Sequence, residues 1–80
     1  MLVLIMDKGY ILANKFRRTI FESLVSGESN IERIAKKHRM IKNVAFRIVD
    51  DLIKGGIVEK KRNGYFLTEE GNKLADEIIG

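Results

Sequence analysis

Two apolar patterns of helical spacing lie almost end to end in residues 30–54, with room between them for only a tight turn. Ile31, Ile34 and Ala35 make the first stripe. Ala45, Ile48, Val49 and Leu52 make the second, at intervals of three and four residues, and Gly55-Gly56 stops it. The first pattern predicts a helix over about 30–37 that lapses near His38. The second predicts one that begins within 41–43 and runs to 54. Lys36, Lys37, His38, Arg39 and Lys42 crowd the corner between them.

The flanks add further short elements. Asn14 is a plausible N-cap, and Phe16, Ile20, Phe21, Leu24 and Val25 recur with helical spacing up to Gly27, so a helix is expected over 15–26. Ser29 and Glu32 have the spacing of a capping box at the start of the next helix. After Gly56, Ile57 and Val58 favour strand. Asn63-Gly64 signals a type I′ hairpin, with both residues at positive φ, and Tyr65–Thr68 make the return strand. Thr68 can cap a last helix over 69–79, with Glu69 and Glu70 in its first turn. The chain thus reads as a single domain over 1–80, with an apolar arm or short strand at 1–13, three helices within 15–54, a hairpin at 57–68 and a C-terminal helix. At the start, "LVLI" (2–5) reads as extended chain, and "DKG" (7–9) as a turn in which Gly9 takes positive φ. "YILA" either pairs back on "LVLI" or leads into the first helix.

Eighty residues allow one small domain of marginal stability. There is no cysteine, which excludes disulfides and thiolate metal sites. His38 is the only histidine, so a metal site is not expected. No apolar stretch reaches the ~20 residues of a membrane span. "MLVLIM" is too short for a signal-peptide core. A soluble, cytoplasmic protein is the expectation. The formal charge of +4 is unevenly spread: residues 68–80 carry −3 and residues 1–67 carry +7. That split fits either a polyanion-binding face or an ordinary solvated surface with unequal halves.

Helices joined by a tight turn and followed by a basic hairpin make a mainly α chain with a small β hairpin (α+β), laid out as a winged helix-turn-helix. The segment "IAKKHRMIKNVAFRIVDDLIKGGIVEK" resembles the helix-turn-helix of winged-helix transcriptional regulators of the MarR and ArsR type. "GYFLTEEGNKLADEII" is similar to their strand and following helix. The likeness spans roughly residues 16–79. It departs from the pattern at Arg39, where the turn usually has glycine, and at Ile41, where the helix usually has a Ser/Thr cap. A later start capped by Asn43 would answer the second departure.

The resemblance implies a sequence-specific, double-stranded DNA-binding transcriptional regulator acting as a homodimer, with helix 42–54 in the major groove and hairpin 59–65 as the wing. The residues point the same way. With Ala45, Ile48, Val49 and Leu52 inward, Lys42, Asn43, Phe46 and Arg47 face outward. Lys or Arg can read guanine, and Asn adenine. Ser29, Lys36, Lys37, His38 and Arg39 are candidates for the phosphate backbone, and Lys60, Lys61, Arg62 and Asn63 for wing contacts. Phe46 has three readings: a thymine methyl, core packing or a protein partner. His38 as a pH switch is a weaker reading than phosphate contact. Asp50 and Asp51 are adjacent on a helix and do not face each other, so they make no acid–base dyad. No nucleophile set, phosphate loop or cofactor motif appears, so neither catalysis nor a cofactor is expected. Two other roles remain open, a protein-interaction module built around Phe46 and Tyr65 and a nonspecific nucleic-acid coat. A homodimer is set against a monomer whose N-terminal arm folds onto its own core.

Overall fold

The computed structural model describes residues 7–79, as five helices and one antiparallel hairpin: α1 (Lys8–Leu12), α2 (Lys15–Val25), α3 (Ile31–Lys37), α4 (Lys42–Lys54), β1 (Val58–Lys61), β2 (Gly64–Leu67) and α5 (Glu69–Ile78). The expected strand or arm at 2–5 lies outside the described residues. The protein is therefore mainly helical with a two-stranded sheet.

The reading of 1–13 as arm or strand is corrected at 8–12, where the chain is helical. Asp7 accepts a hydrogen bond from the Tyr10 N–H (2.9 Å) and caps the short α1, so Gly9 is helical rather than a positive-φ turn residue. Ile11 is fully buried. The Arg17 guanidinium, 3.8 Å above the Tyr10 ring, donates to the Tyr10 carbonyl (2.6 Å) and fastens α1 to α2.

Asn14 caps α2 as expected, accepting from the Phe16 and Arg17 N–H groups. The buried face of α2 is Ile20, Phe21, Ser23 and Leu24, while Phe16 and Val25, expected inward, are exposed at its two ends. Ser23 tolerates burial because its hydroxyl donates to the Thr19 carbonyl (2.8 Å). Ile31, Ile34 and Ala35 from α3 join Ala45, Val49 and Leu52 from α4, with Ile57, Val58, Leu74 and Ala75 closing the core. Fully burying an isoleucine, leucine or phenylalanine stabilises by ~1.5–3 kcal/mol, so these stripes hold the fold. Ile48, expected inward, is half-buried against the core edge.

The caps of α3 and α4 differ from expectation. Asn30, not Ser29, is the N-cap of α3, its side chain accepting from the Arg33 N–H (3.0 Å). Ser29 is displaced from that role because its carbonyl accepts the Tyr65 N–H (2.9 Å) from the hairpin. Helix α4 starts at Lys42, with Ile41 at the cap position and no side-chain cap bond, so Asn43 lies inside the helix.

The hairpin turn is also shifted. The register pairs Lys61 with Gly64, so Arg62 and Asn63 are the two turn residues and Gly64 opens β2. Asn63 does not take positive φ, which corrects the type I′ expectation. Gly64, at φ 137°, is needed for another reason. A β-carbon there would lie 2.7 Å from the Ser29 carbonyl oxygen and 2.8 Å from its Cβ. At the other end of the hairpin, the Thr68 hydroxyl donates to the Gly56 carbonyl (2.6 Å) and accepts from the Gly71 N–H (3.1 Å), capping α5 as expected.

Two substitutions test this arrangement by urea unfolding. Asn30→Ala should cost about 1 kcal/mol, and Ser29→Ala much less. Gly64→Ala should cost roughly 1–3 kcal/mol, because the hairpin must back away from Ser29. Equal effects at 29 and 30, or a neutral Gly64→Ala, would contradict the geometry.

Candidate nucleic-acid interface

The corner between α3 and α4 is built from two local irregularities in succession. Helix α3 ends in a Schellman motif: the Met40 N–H bonds the Ala35 carbonyl (2.8 Å) and the Arg39 N–H bonds the Lys36 carbonyl (3.3 Å). The same pair of bonds ends α2 and α4, where Gly27 and Gly56 occupy the left-handed position. At the end of α3 that position belongs to Arg39, at φ 54°, the one non-glycine residue with positive φ among those described. Met40 is buried beneath the turn and holds the motif shut. Two residues on, Ile41 occupies the cap position of α4, where a polar residue would typically add about 1 kcal/mol.

Lys42, Asn43 and Arg47 are exposed on α4; Asn43 and Arg47 lie opposite buried Ala45, Val49 and Leu52, while Lys42, in the first turn, shares their side of the helix and reaches out toward α3. Lys42 Nζ lies 3.1 Å from the Glu32 carboxylate of α3, both side chains well exposed. The expected capping box is thereby undone, with Glu32 facing Lys42 rather than the start of its own helix. Phe46 is half-buried, packs against the core and meets Tyr65 edge-on, with ring centroids 6.3 Å apart at 67°. Of its three readings, core packing is the one these contacts describe. Tyr65, expected exposed, is half-buried as well.

A groove runs between the start of α3 and the hairpin. Ser29, Asn30 and Glu32 form one wall, Lys60, Lys61, Arg62 and Asn63 the other, and Phe46 and Tyr65 also line it. Its volume is about 370 Å³. Lys60 is paired across the hairpin with Tyr65, and its ammonium lies 5.8 Å from that ring. Lys61 lies 5.6 Å from the Phe66 ring and 3.8 Å from Glu59. Strand alternation puts Lys60 and Lys61 on opposite faces of the hairpin.

The cations at the end of α3 form a separate group. Lys36 and Lys37 line a second groove with Arg33 and Glu28, and Lys37 pairs with Glu28 at 3.4 Å. His38 and Lys37 also border a polar hollow with Glu22 and Glu28. The two groups sit toward opposite ends of α3, a helix about 10 Å long. The candidate cations are all exposed, but Lys37 and His38 lie closer to carboxylates of the α2 side than to the hairpin groove. Arg33 and Glu32 were not among the sequence candidates. Arg33 was legible as an exposed position between Ile31 and Ile34, whereas the Glu32–Lys42 pairing needed the angle between α3 and α4.

Among the described residues no cluster of His, Cys, Asp and Glu could hold a metal ion, and no helix is long and apolar enough to cross a membrane. No protein-family model matches the sequence, and no curated protein is significantly similar to it.

The strain at Arg39 is measurable. Arg39→Gly should raise the unfolding free energy by roughly 0.5–1 kcal/mol, the left-handed penalty less the extra freedom glycine gives the unfolded chain. A destabilised Arg39→Gly would mean that the arginine side chain holds the corner together.

Proposed function

We propose that this chain is a winged helix-turn-helix that binds double-stranded DNA sequence-specifically and regulates transcription as a homodimer. The observation that carries the reading is the set of exposed Lys42, Asn43 and Arg47 in the first two turns of α4, between the exposed cations at the end of α3 and the hairpin groove that Phe46 lines. In this reading α4 enters the major groove. Arg47, Lys42 and Asn43 meet base edges, where a good bidentate contact discriminates by ~1–3 kcal/mol. Phosphates pass Lys36 and Arg39 at the corner and Lys60, Lys61 and Arg62 at the hairpin, contacts that fix position without reading sequence.

In this reading a second copy covers exposed apolar residues that lie outside α4. Leu12, Phe16 and Ile79 are 44%, 43% and 54% exposed, on or beside α1, α2 and α5. One protomer measures 32 × 24 × 23 Å, a size that allows a two-fold pair to present its α4 helices about 34–36 Å apart, one DNA turn. The acidic α5, with Glu69, Glu70, Asp76 and Glu77 exposed, suits a side turned away from DNA.

The test is selection of duplexes from a random pool, followed by titration at several salt concentrations. The expected product is a two-fold symmetric site. About five neutralised phosphates would give a slope of log affinity on log salt near −4.5. Arg47→Ala should relax preference at particular base pairs, and the Lys60→Ala, Lys61→Ala double variant should weaken all duplexes alike. Absence of salt-sensitive binding at low ionic strength would end this reading. A chain that sediments as a monomer at micromolar concentration would end its dimeric part.

A further inference from the structure

Ile41 is 71% exposed, the most exposed of the large apolar side chains among the described residues. It occupies the cap position of α4, where a serine, threonine, aspartate or asparagine would satisfy a free helix N–H, and it supplies no such bond. Its backbone is extended (φ −64°, ψ 127°), so its side chain departs from the helical stripe that buries Ala45 and Val49. Its neighbours Arg39, Lys42 and Asn43 are all exposed. A solvated isoleucine on a cationic surface, at a position that favours a polar residue, gains nothing for the folded monomer. Departures of this kind from local preference concentrate where function sets the residue.

We infer that Ile41 is a specificity-determining residue that reads the 5-methyl group of a pyrimidine. The inference rests on the proposed DNA-binding role and adds a reader that hydrogen bonding cannot supply. If the start of α4 enters the major groove, Ile41 is the apolar group at its tip. The one apolar feature on a base edge in that groove is the C5 methyl, borne by thymine in unmodified DNA. Lys42, Asn43 and Arg47 recognise donors and acceptors, and none of them distinguishes thymine from the same base without its methyl.

Deoxyuridine provides the test, since it differs from thymidine only by that methyl. In the selected duplex, thymines are replaced one at a time by deoxyuridine and affinities compared. The expected result is a three- to fivefold loss at one thymine of each half-site, the scale of one methyl group returned to water. Ile41→Ser should bind thymine and deoxyuridine duplexes equally. It should also melt no lower than the parent, because serine restores the missing cap. Ile41→Val should keep a measurable preference. A preference that survives in Ile41→Ser, or a selected site in which no thymine responds, overturns the inference while leaving DNA binding intact. Failure to bind either duplex overturns the DNA-binding reading along with it.

Discussion

The hydrogen bond from the Tyr65 N–H to the Ser29 carbonyl decides where the hairpin sits. Two short strands are not stable alone in water. This pair is held by Val58 in the core, by Thr68 at its base and by Ser29 near its tip. The Ser29 contact is possible only because Gly64 brings no β-carbon into the gap. With the hairpin fixed there, Tyr65 lies against Phe46 and Lys60 lies against Tyr65, and the space left over is the groove. The placement of the hairpin tip and its cations beside α3 depends on the Tyr65–Ser29 bond and on the missing β-carbon that lets it form. The same contact takes Ser29 out of service as a cap, and Asn30 performs that task one residue later.

The corner between α3 and α4 departs from local preference twice within three residues. The chain terminates α2 and α4 with glycine in the left-handed position and α3 with Arg39. It caps α1, α2, α3 and α5 with a side-chain oxygen, and α4 with Ile41. Both departures are on exposed residues, so neither is explained by packing. Met40, between them, is buried and does explain how the turn stays closed despite them. The chemistry left on the outside is a guanidinium and a branched alkyl group at the mouth of a helix.

Helix identity was legible because each helix carries its own apolar stripe and its own stop. Asn14, Gly27, Gly55-Gly56 and Thr68 sit where the sequence places them. What could not be read are choices settled by a neighbour in space. Ser29 and Asn30 are both good caps, and the hairpin selects between them. Asn63-Gly64 favours a type I′ turn, yet the close approach to Ser29 moves Gly64 into the strand. Asp7-Lys8-Gly9 resembles a turn in isolation, but Ile11 and the Arg17–Tyr10 contact draw it into a helix. Of the candidate interface, the exposed side of α4 followed directly from its buried stripe. Phe46 did not, because it packs against the core and against Tyr65, nineteen residues away along the chain.

The carboxylates threaded among the cations bear on the proposed role. Lys37, Lys42 and Lys61 each have a partner, Glu28, Glu32 and Glu59 respectively, at 3.1–3.8 Å. Exposed pairs of this kind typically contribute ~0–1 kcal/mol, so they are not what holds the fold. Their consequence is felt when an anion approaches. A phosphate that takes Lys42 from Glu32 leaves that carboxylate beside a polyanion, unless a donor on the nucleic acid meets it. An arrangement of lysines alone would attract every sequence equally. Interleaved glutamates subtract from that common attraction, while an aligned base contact offsets the subtraction only where the sequence supplies it. In the proposed role, where few side chains are assigned to base edges, lowering the affinity for wrong sequences raises discrimination as effectively as a further contact with the right one.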